Sequence, residues 1–261
     1  MIPTPPTPYP EINAQLEALL SGAQSVLGRL FVGLYLYGSL ASGDFDAATS
    51  DVDFLVVTAS EIPSAQVPAL EAMHARLAAG ANKWAKKLEG RYLPLPALRR
   101  LNPADPPRPC LNEGQFYLGR QESDWVIQRH ILREQGVTVA GPSLQAWIDP
   151  VQPDELRRAV AGILREWWLP FIESSDPRLR RSDYQAHAVL TMCRALHTLK
   201  SGAIVSKPAA ARWAQRALGE PWPALIERAL AWRPAEALEA QDDVVNLVRY
   251  TLKVAWDFAQ K

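Results

Sequence analysis

The stretch "YLYGSLASGDFDAATSDVDFLVVT", residues 35–58, decides the fold of the first half of this chain. A hydrophobic run ends at Gly38 and Ser39, a small polar loop follows, and a second hydrophobic run opens with the letters "DVD". Short apolar runs bounded by Gly-containing turns are typical of buried strands. We therefore predict two neighbouring strands whose connecting loop carries polar side chains.

The second strand opens with two carboxylates, Asp51 and Asp53. Because successive strand residues alternate between faces, both should point to the same side. Two carboxylates held close repel each other, and burial would raise the pKa of each. A divalent cation relieves that repulsion, and hard oxygen ligands suit Mg²⁺, which usually also binds substrate phosphates. The alternative interpretation is a solvent-facing Asp pair at a strand start.

The turn between the strands has the properties of a phosphate site. Gly38 lets the backbone come close to a ligand, and Ser39 begins the letters "SLASG", which predict a helix start. Amide groups at a helix N-terminus bind anions. A phosphate-binding turn beside paired carboxylates indicates phosphoryl or nucleotidyl transfer. Glu89, on the next predicted strand, is a candidate second-metal ligand or proton acceptor, and the alternative is an exposed edge residue.

The pattern along the chain predicts two domains of different class. The first, residues 1–150, should be a mixed sheet with helices, and its predicted elements are a helix at about 11–30, strands at 31–38, 51–58 and 88–95, and helices at 64–87 and 123–136. Residues 94–109 are too Pro-rich for regular structure, and residues 136–143 should be an extended link. Residues 151–261 should be all helical, so the predicted fold class is α+β.

Composition limits the partners that this chain can have. Among 261 residues, 28 Lys and Arg balance 28 Asp and Glu, so no bulk basic field attracts nucleic acid. Cys110 and Cys193 are far apart in sequence and indicate free thiols in a reducing cytosol. The N-terminus has no signal-peptide pattern, and no apolar run is long enough to span a bilayer. We predict a cytoplasmic monomer without a nucleic-acid or membrane partner.

Two segments resemble a known enzyme family. Residues 37–57, "YGSLASGDFDAATSDVDFLVV", look like the GS…DxD motif of the polymerase-β-type nucleotidyltransferases, which identifies the chemistry only. Residues 189–218, "VLTMCRALHTLKSGAIVSKPAAARWAQRAL", resemble a more specific segment of the streptomycin/spectinomycin 3''(9)-O-adenylyltransferases. The matching residues there are Arg194, Gly202, Ser206, Lys207 and Trp213. The resemblance implies a polymerase-β-like nucleotidyltransferase domain followed by a helical bundle.

The resemblance also implies roles for residues of the first domain. Asp51 and Asp53 would hold Mg²⁺ and ATP, and Ser39 and Ser50 would contact the triphosphate beside Gly38. Glu89 would be the catalytic base for the acceptor hydroxyl, and we also place it among the metal ligands. ATP is then the co-substrate that donates the nucleotidyl group.

Further roles fall on Asp124 and on the helical half. Asp124 matches an acidic position near the nucleotide, and Arg194 and Lys207 would reach the phosphates. An aminoglycoside acceptor is polycationic, so acidic residues would attract it. The acidic candidates are Glu89, Glu113, Asp124 and Asp183, and the substrate-contacting candidates before the Arg194 helix are Trp167, Trp168, Asp176 and Asp183.

These observations predict Mg²⁺-dependent transfer of AMP from ATP to a hydroxyl of an aminoglycoside such as streptomycin or spectinomycin, an activity of the antibiotic-resistance type. Two alternatives stay open at this point. One is a nucleotidyltransferase that acts on a protein, a nucleic-acid end or another metabolite. The other is a catalytically silent nucleotide-binding module, which the intact set of Asp51, Asp53 and Glu89 disfavours.

Overall fold

A computed structural model describes residues 5–102 and 104–259 of the chain. Contacts between Cα atoms divide the chain into two compact units, one ending at Pro150 and the other beginning at Val151. None of the helices in the described residues has the length and apolar character needed to cross a lipid bilayer.

The first unit is built on a six-stranded mixed sheet with the strand order β5-β4-β3-β2-β1-β6. The pair β2–β3 is parallel, and the pairs β1–β2, β1–β6, β3–β4 and β4–β5 are antiparallel. The strands are β1 Phe31–Leu36, β2 Val52–Thr58, β3 Leu88–Pro94, β4 Arg108–Asn112, β5 Gln115–Gly119 and β6 Val137–Ala140. The predicted mixed sheet with helices is therefore confirmed.

Five α-helices accompany this sheet in the described part of the unit: α1 Pro10–Leu27, α2 Gly38–Ser42, α3 Val67–Ala78, α4 Leu95–Leu98 and α5 Asp124–Gln135. Helix α1 starts with proline, whose fixed φ suits the first helical position. It ends at Leu27 rather than at the predicted Leu30, because Gly28 takes a positive φ of 53° and a 3-10 turn follows. Helix α3 supplies the crossover that a parallel strand pair requires.

Both faces of the sheet are buried, which explains the continuous apolar runs of β1 and β2. Residues of α1 and α3, such as Leu16 and Leu70, pack on one face against Leu34 and Phe54. Trp125 of α5 packs on the other face, in a cluster that also contains the following fully or nearly buried strand residues: Tyr35, Tyr37, Leu55, Val57 and Leu93. Helix α5 therefore covers the face to which Tyr37 belongs.

The structure corrects three predictions in this unit. Residues 94–109 contain the short helix α4 and the start of β4, so they are not wholly irregular. Strands β4 and β5 form an unpredicted hairpin, whose turn residues Glu113 and Gly114 both have positive φ, the geometry that matches strand twist. Residues 137–140, predicted as a link, pair with β1 as the edge strand β6.

The second unit is helical throughout its described residues, as predicted. Its helices are α6 Pro153–Ile163, α7 Leu169–Glu173, α8 Ser182–Ser201, α9 Lys207–Ala217, α10 Trp222–Ala231 and α11 Gln241–Ala259. Helix α8 is central and packs against α6, α9, α10 and α11. One turn of π-helix, Leu164–Trp168, separates α6 from α7 just before Pro170. Trp256 of α11 is 67% exposed.

A buried histidine gives the first unit a testable response to acid. His74 is 3% exposed, its Nε2 lies 2.7 Å from the Tyr92 hydroxyl, and burial lowers its pKa to about 4. As the pH falls below about 6.5, the unfolded chain binds a proton at His74 that the folded chain resists, so the unfolding free energy falls.

We expect urea unfolding to show that the wild type loses roughly 2 kcal/mol more than His74→Leu between about pH 7 and pH 4.5. The constant cost of removing the Tyr92 contact cancels in this comparison of pH dependence. Equal losses in the two proteins would show that His74 titrates normally in the folded chain.

Candidate active site

The Asp53 carboxylate packs against the backbone where β1 ends and α2 begins. The Tyr37 amide donates a hydrogen bond of 3.2 Å to the Asp53 carbonyl oxygen, which joins the end of β1 to the start of β2. Gly38 has a φ of +66°, and a Cβ atom there would lie 1.8 Å from Asp53 Oδ2 and 2.6 Å from its Cγ. Only glycine leaves room for this carboxylate beside the turn.

Glu89 lies next to Asp53 on the neighbouring strand. The parallel register of β2 and β3 pairs Asp53 with Glu89, and both residues are half-buried. Paired residues of adjacent strands point to the same face at a strand spacing of roughly 4.8 Å. Asp51 precedes the first residue of β2 and is exposed. The structure therefore brings Asp53 and Glu89 together and places Asp51 in the loop ahead of them.

Tyr37 marks the point where the charged groups of this site converge. Its ring is buried, and burial raises the pKa of Tyr37 well above 10.0. The negative charge of Asp53 raises that pKa further, as do Glu89 and Asp124, whereas Arg91 lowers it. The charges of three carboxylates and one guanidinium thus act on one buried phenol. We did not single out Tyr37 or Arg91 from the sequence, although Arg91 follows Glu89 at the two-residue spacing of one strand face.

Asp124 reaches this sheet face as the first residue of α5. Its Oδ2 atom accepts hydrogen bonds from Arg91 Nη2 at 3.2 Å and from Gln128 Nε2 at 2.9 Å. The neighbouring Trp125 is fully buried against the sheet and fixes the start of the helix. Two elements distant in sequence, β3 and α5, therefore hold this carboxylate in place.

Ser39 and Ser50 lie at the two ends of the loop between β1 and β2. Ser39 is the second residue of α2, and its carbonyl oxygen accepts the Asp44 amide at 3.1 Å. The Ser50 hydroxyl accepts the Asp46 amide at 3.0 Å, and Lys87 Nζ donates to the Ser50 carbonyl at 3.2 Å. Ser50 thus shapes the loop that leads into Asp51, and Lys87 adds a positive charge there.

The carboxylates of this site have the donor chemistry that Mg²⁺ prefers. Within residues 5–102 and 104–259, no three His, Cys, Asp or Glu side chains lie close enough to form a ready-made metal site. Asp53 and Glu89, paired in register, still fit the usual Mg²⁺ arrangement of one or two carboxylates completed by water and substrate phosphates. The sharing of one ion by Asp51, Asp53 and Glu89 stays a prediction.

In the helical unit, three basic side chains gather at the start of α9. Lys207 is the first residue of that helix, and its Nζ lies 3.3 Å from His187 Nδ1 on α8. The pKa of His187 is held well below 6.5, first by the charge of Lys207, then by burial, and then by Arg194. Because His187 keeps exposed surface, the charges of Lys207 and Arg194 are the main reason for its low pKa. A cation at a helix N-terminus opposes the helix dipole, so this cluster suits an anionic ligand.

Among the remaining predicted substrate contacts, Trp167 and Trp168 share an aromatic cluster, and Arg178, which binds Asp176, lies 5.5 Å from the Trp167 ring centroid. Trp167 stacks on Phe171 at 5.1 Å with 9° between the rings. Asp176 is bound to Arg178 by two hydrogen bonds of 2.9 Å, and Asp183 is bound to Arg181. Trp168 is buried in the same aromatic cluster, and Glu113 lies exposed at the tip of the β4–β5 hairpin. Both aspartates therefore carry an arginine partner.

Comparison with known proteins first defines the class. A family model described as a nucleotidyltransferase domain matches residues 25–93, which contain Gly38, Asp53 and Glu89. The spectinomycin adenyltransferase AAD(9) from Enterococcus faecialis, solved with ATP and spectinomycin, has a similar fold, with a TM-score of 0.71 and 17% identity over 93% of this chain and 98% of that chain. The chain is a nucleotidyltransferase.

Sequence relatives then narrow the similarity. A model described as the aminoglycoside adenylyltransferase C-terminal domain matches residues 147–254. An aminoglycoside (3'') (9) adenylyltransferase from Shigella flexneri is 25% identical over 92% of this chain and 93% of its own length. A spectinomycin 9-adenylyltransferase from Campylobacter jejuni is 23% identical over 84% of each chain. The second half of this chain is thus similar to the aminoglycoside adenylyltransferases, the family that its sequence motifs resemble.

Two glycines allow the packing of Asp53 to be tested without any ligand. Gly38 and Gly43 both have positive φ, but a Cβ at Gly38 would overlap the Asp53 carboxylate, whereas a Cβ at Gly43 meets nothing within 4 Å. We expect Gly38→Ala to lower the unfolding free energy by about 1–3 kcal/mol more than Gly43→Ala, since both variants share the backbone strain and only one adds overpacking. Urea unfolding measures this difference, and equal losses would contradict the close packing.

Proposed function

We propose that this chain transfers AMP from Mg²⁺-ATP to a hydroxyl of an aminoglycoside such as streptomycin or spectinomycin. One observation carries the catalytic half of the proposal: Asp53, packed against Gly38, lies beside Glu89 in register on adjacent strands. This arrangement places an acidic pair next to a glycine turn, in a chain whose relatives are adenylyltransferases. The names of the relatives support the acceptor, because they act on aminoglycosides or on spectinomycin.

In the proposed reaction, the acceptor oxygen attacks the α-phosphorus of ATP in line with the leaving pyrophosphate. The bond from the α-phosphorus to the bridging oxygen breaks, the new phosphoester bond forms, and the acceptor proton passes to the Glu89 carboxylate. The products are the adenylylated acceptor and pyrophosphate. Glu89 is half-buried and lies in register with Asp53, a position from which its carboxylate could accept that proton.

Asp51 and Asp53 would hold the metal, and Glu89 is a further candidate ligand. When bound, Mg²⁺ supplies positive charge to the phosphate oxygens of the donor. The chain's own residues would position the donor: Ser39 and Ser50 with Gly38 at the turn, and Asp124 at the start of α5. Arg194 and Lys207 would add the positive charge that a triphosphate needs.

Glu89→Gln separates proton acceptance from nucleotide binding. The amide keeps the size of the side chain but cannot accept the hydroxyl proton, so we expect transfer to fall by about a hundredfold or more. Pyrophosphate release with streptomycin or spectinomycin measures transfer, and calorimetry measures ATP binding, which should change little. Glu17→Gln on the exposed side of α1 is the matched control and should keep full activity.

The outcomes of this experiment are distinct. Loss of ATP binding in Glu89→Gln would make Glu89 chiefly a metal ligand. Retention of transfer would remove Glu89 from catalysis. If the wild type binds Mg²⁺-ATP but releases pyrophosphate with neither drug, the aminoglycoside acceptor is wrong, and proteins, nucleic-acid ends and other metabolites become the acceptors to screen.

Lys207→Met tests the cationic cluster of the helical unit. Removing a cation that binds phosphate should raise the KM for ATP by roughly tenfold to a hundredfold. It should also raise the pKa of His187, because the charge of Lys207 is the main reason for its low value. Steady-state kinetics and an NMR titration of His187 measure the two effects, and Lys200→Met, at an exposed position on α8, is the control. A normal KM for ATP together with a raised pKa of His187 would show that Lys207 acts on His187 but does not bind the nucleotide.

A further inference from the structure

Arg91 places a positive charge among the carboxylates of the active site. It follows Glu89 by two residues on β3, so the two side chains point to the same face of the sheet. Its side chain is only 13% exposed. The sheet face around it also carries Tyr37 and Asp53 from the neighbouring strands. A buried arginine here is costly unless it is paired, because guanidinium desolvation is unfavourable.

The contacts of Arg91 join β3 to the start of α5. Its Nη2 donates to Asp124 Oδ2 at 3.2 Å, and its guanidinium centre lies 5.5 Å from the centroid of the buried Trp125 ring. Gln128 Nε2 donates to the same Asp124 oxygen at 2.9 Å. Arg91 is therefore clamped by a carboxylate and an aromatic face, and Asp124 receives two donors on one oxygen.

Electrostatics supports the same arrangement. Burial acts to lower the pKa of Arg91, but Asp124 and then Tyr37 raise it, and the net direction is upward. Arg91 is also the one group that opposes Asp53, Glu89 and Asp124 among the charges that act on Tyr37. Of these three carboxylates, Asp124 is the one whose charge acts on Arg91, in agreement with their hydrogen bond.

We propose that Arg91 is a positioning residue for nucleotidyl transfer, which holds the Asp124 carboxylate at the sheet face beside Glu89. This inference rests on the proposed function, since Asp124 has a catalytic context only if transfer takes place at this site. Arg91 acts through Asp124 and does not itself contact the reacting atoms. Its second nitrogen, Nη1, is buried without a hydrogen-bond partner, so the group is closed off rather than open to substrate.

A double-mutant cycle tests this role. We expect Arg91→Gln to lower kcat/KM by roughly tenfold to a hundredfold, because small displacements of positioned groups have effects of that size. In an Asp124→Asn background, the same substitution should change kcat/KM by less than about threefold, since its partner is already lost. Arg91→Lys keeps the charge without the planar fork and should recover part of the activity.

Matched controls separate positioning from general stability. Arg100→Gln breaks another arginine–aspartate pair of this unit, the exposed Arg100–Asp149 pair, and should leave kcat/KM unchanged. Urea unfolding of every variant shows whether folding accounts for any loss. Additive effects of Arg91→Gln and Asp124→Asn on kcat/KM, or a loss that follows stability alone, would overturn the proposal.

An NMR measurement that needs no turnover tests the contacts of Arg91 separately from the proposed transfer reaction. In NMR spectra of Trp indole groups, Arg91→Gln should shift the Trp125 signal, and Arg91→Lys should shift it less. If the wild type shows no transfer while these shifts appear, the proposed function fails and the clamp stands. If transfer is present and Trp125 is unaffected by Arg91→Gln, the clamp fails and the proposed function stands.

Discussion

The close packing of the Asp53 carboxylate against the Gly38 backbone is the contact on which the site depends. It requires a residue without a Cβ and a positive φ at that residue. It also requires the hydrogen bond from the Tyr37 amide to the Asp53 carbonyl oxygen, which joins the end of β1 to the start of β2. The parallel register then places Glu89 next to Asp53. Three features of the backbone thus hold an acidic group against the glycine turn.

A mainly acidic cluster lies in the first unit, with Arg91 as its cation, and a basic cluster lies in the second. Asp53, Glu89 and Asp124 gather around Tyr37 in the first unit, and Lys207, Arg194 and His187 lie near one another in the second. The formal charge of the whole chain is zero, so this separation is local. A metal ion or a cationic ligand suits the acidic cluster, and an anionic ligand suits the basic one.

The sequence predicted the central strands that carry the site, but not the outer strands of the sheet. Long apolar runs and the "DVD" letters predicted β1, β2 and β3, since buried strands need continuous apolar residues. The hairpin of β4 and β5 escaped prediction because both strands are only five residues long, β4 follows a proline-rich segment, and β5 is largely exposed. Arg91 escaped for another reason: an arginine in a strand has no local signal, and only the approach of α5 gives it a partner.

The strand order has a consequence for how such an enzyme can diversify. Strands β5 and β4 lie outermost on one side of the sheet, and the antiparallel register of β3 and β4 places their turn, Glu113 and Gly114, at the same end of the sheet as Glu89. Changes in the length or sequence of this hairpin leave the central ladder intact, while its exposed Tyr117 and Leu118 remain beside β4 and β3. Changes in this hairpin can therefore alter the surroundings of Glu89 without disturbing the pairing of β1, β2 and β3.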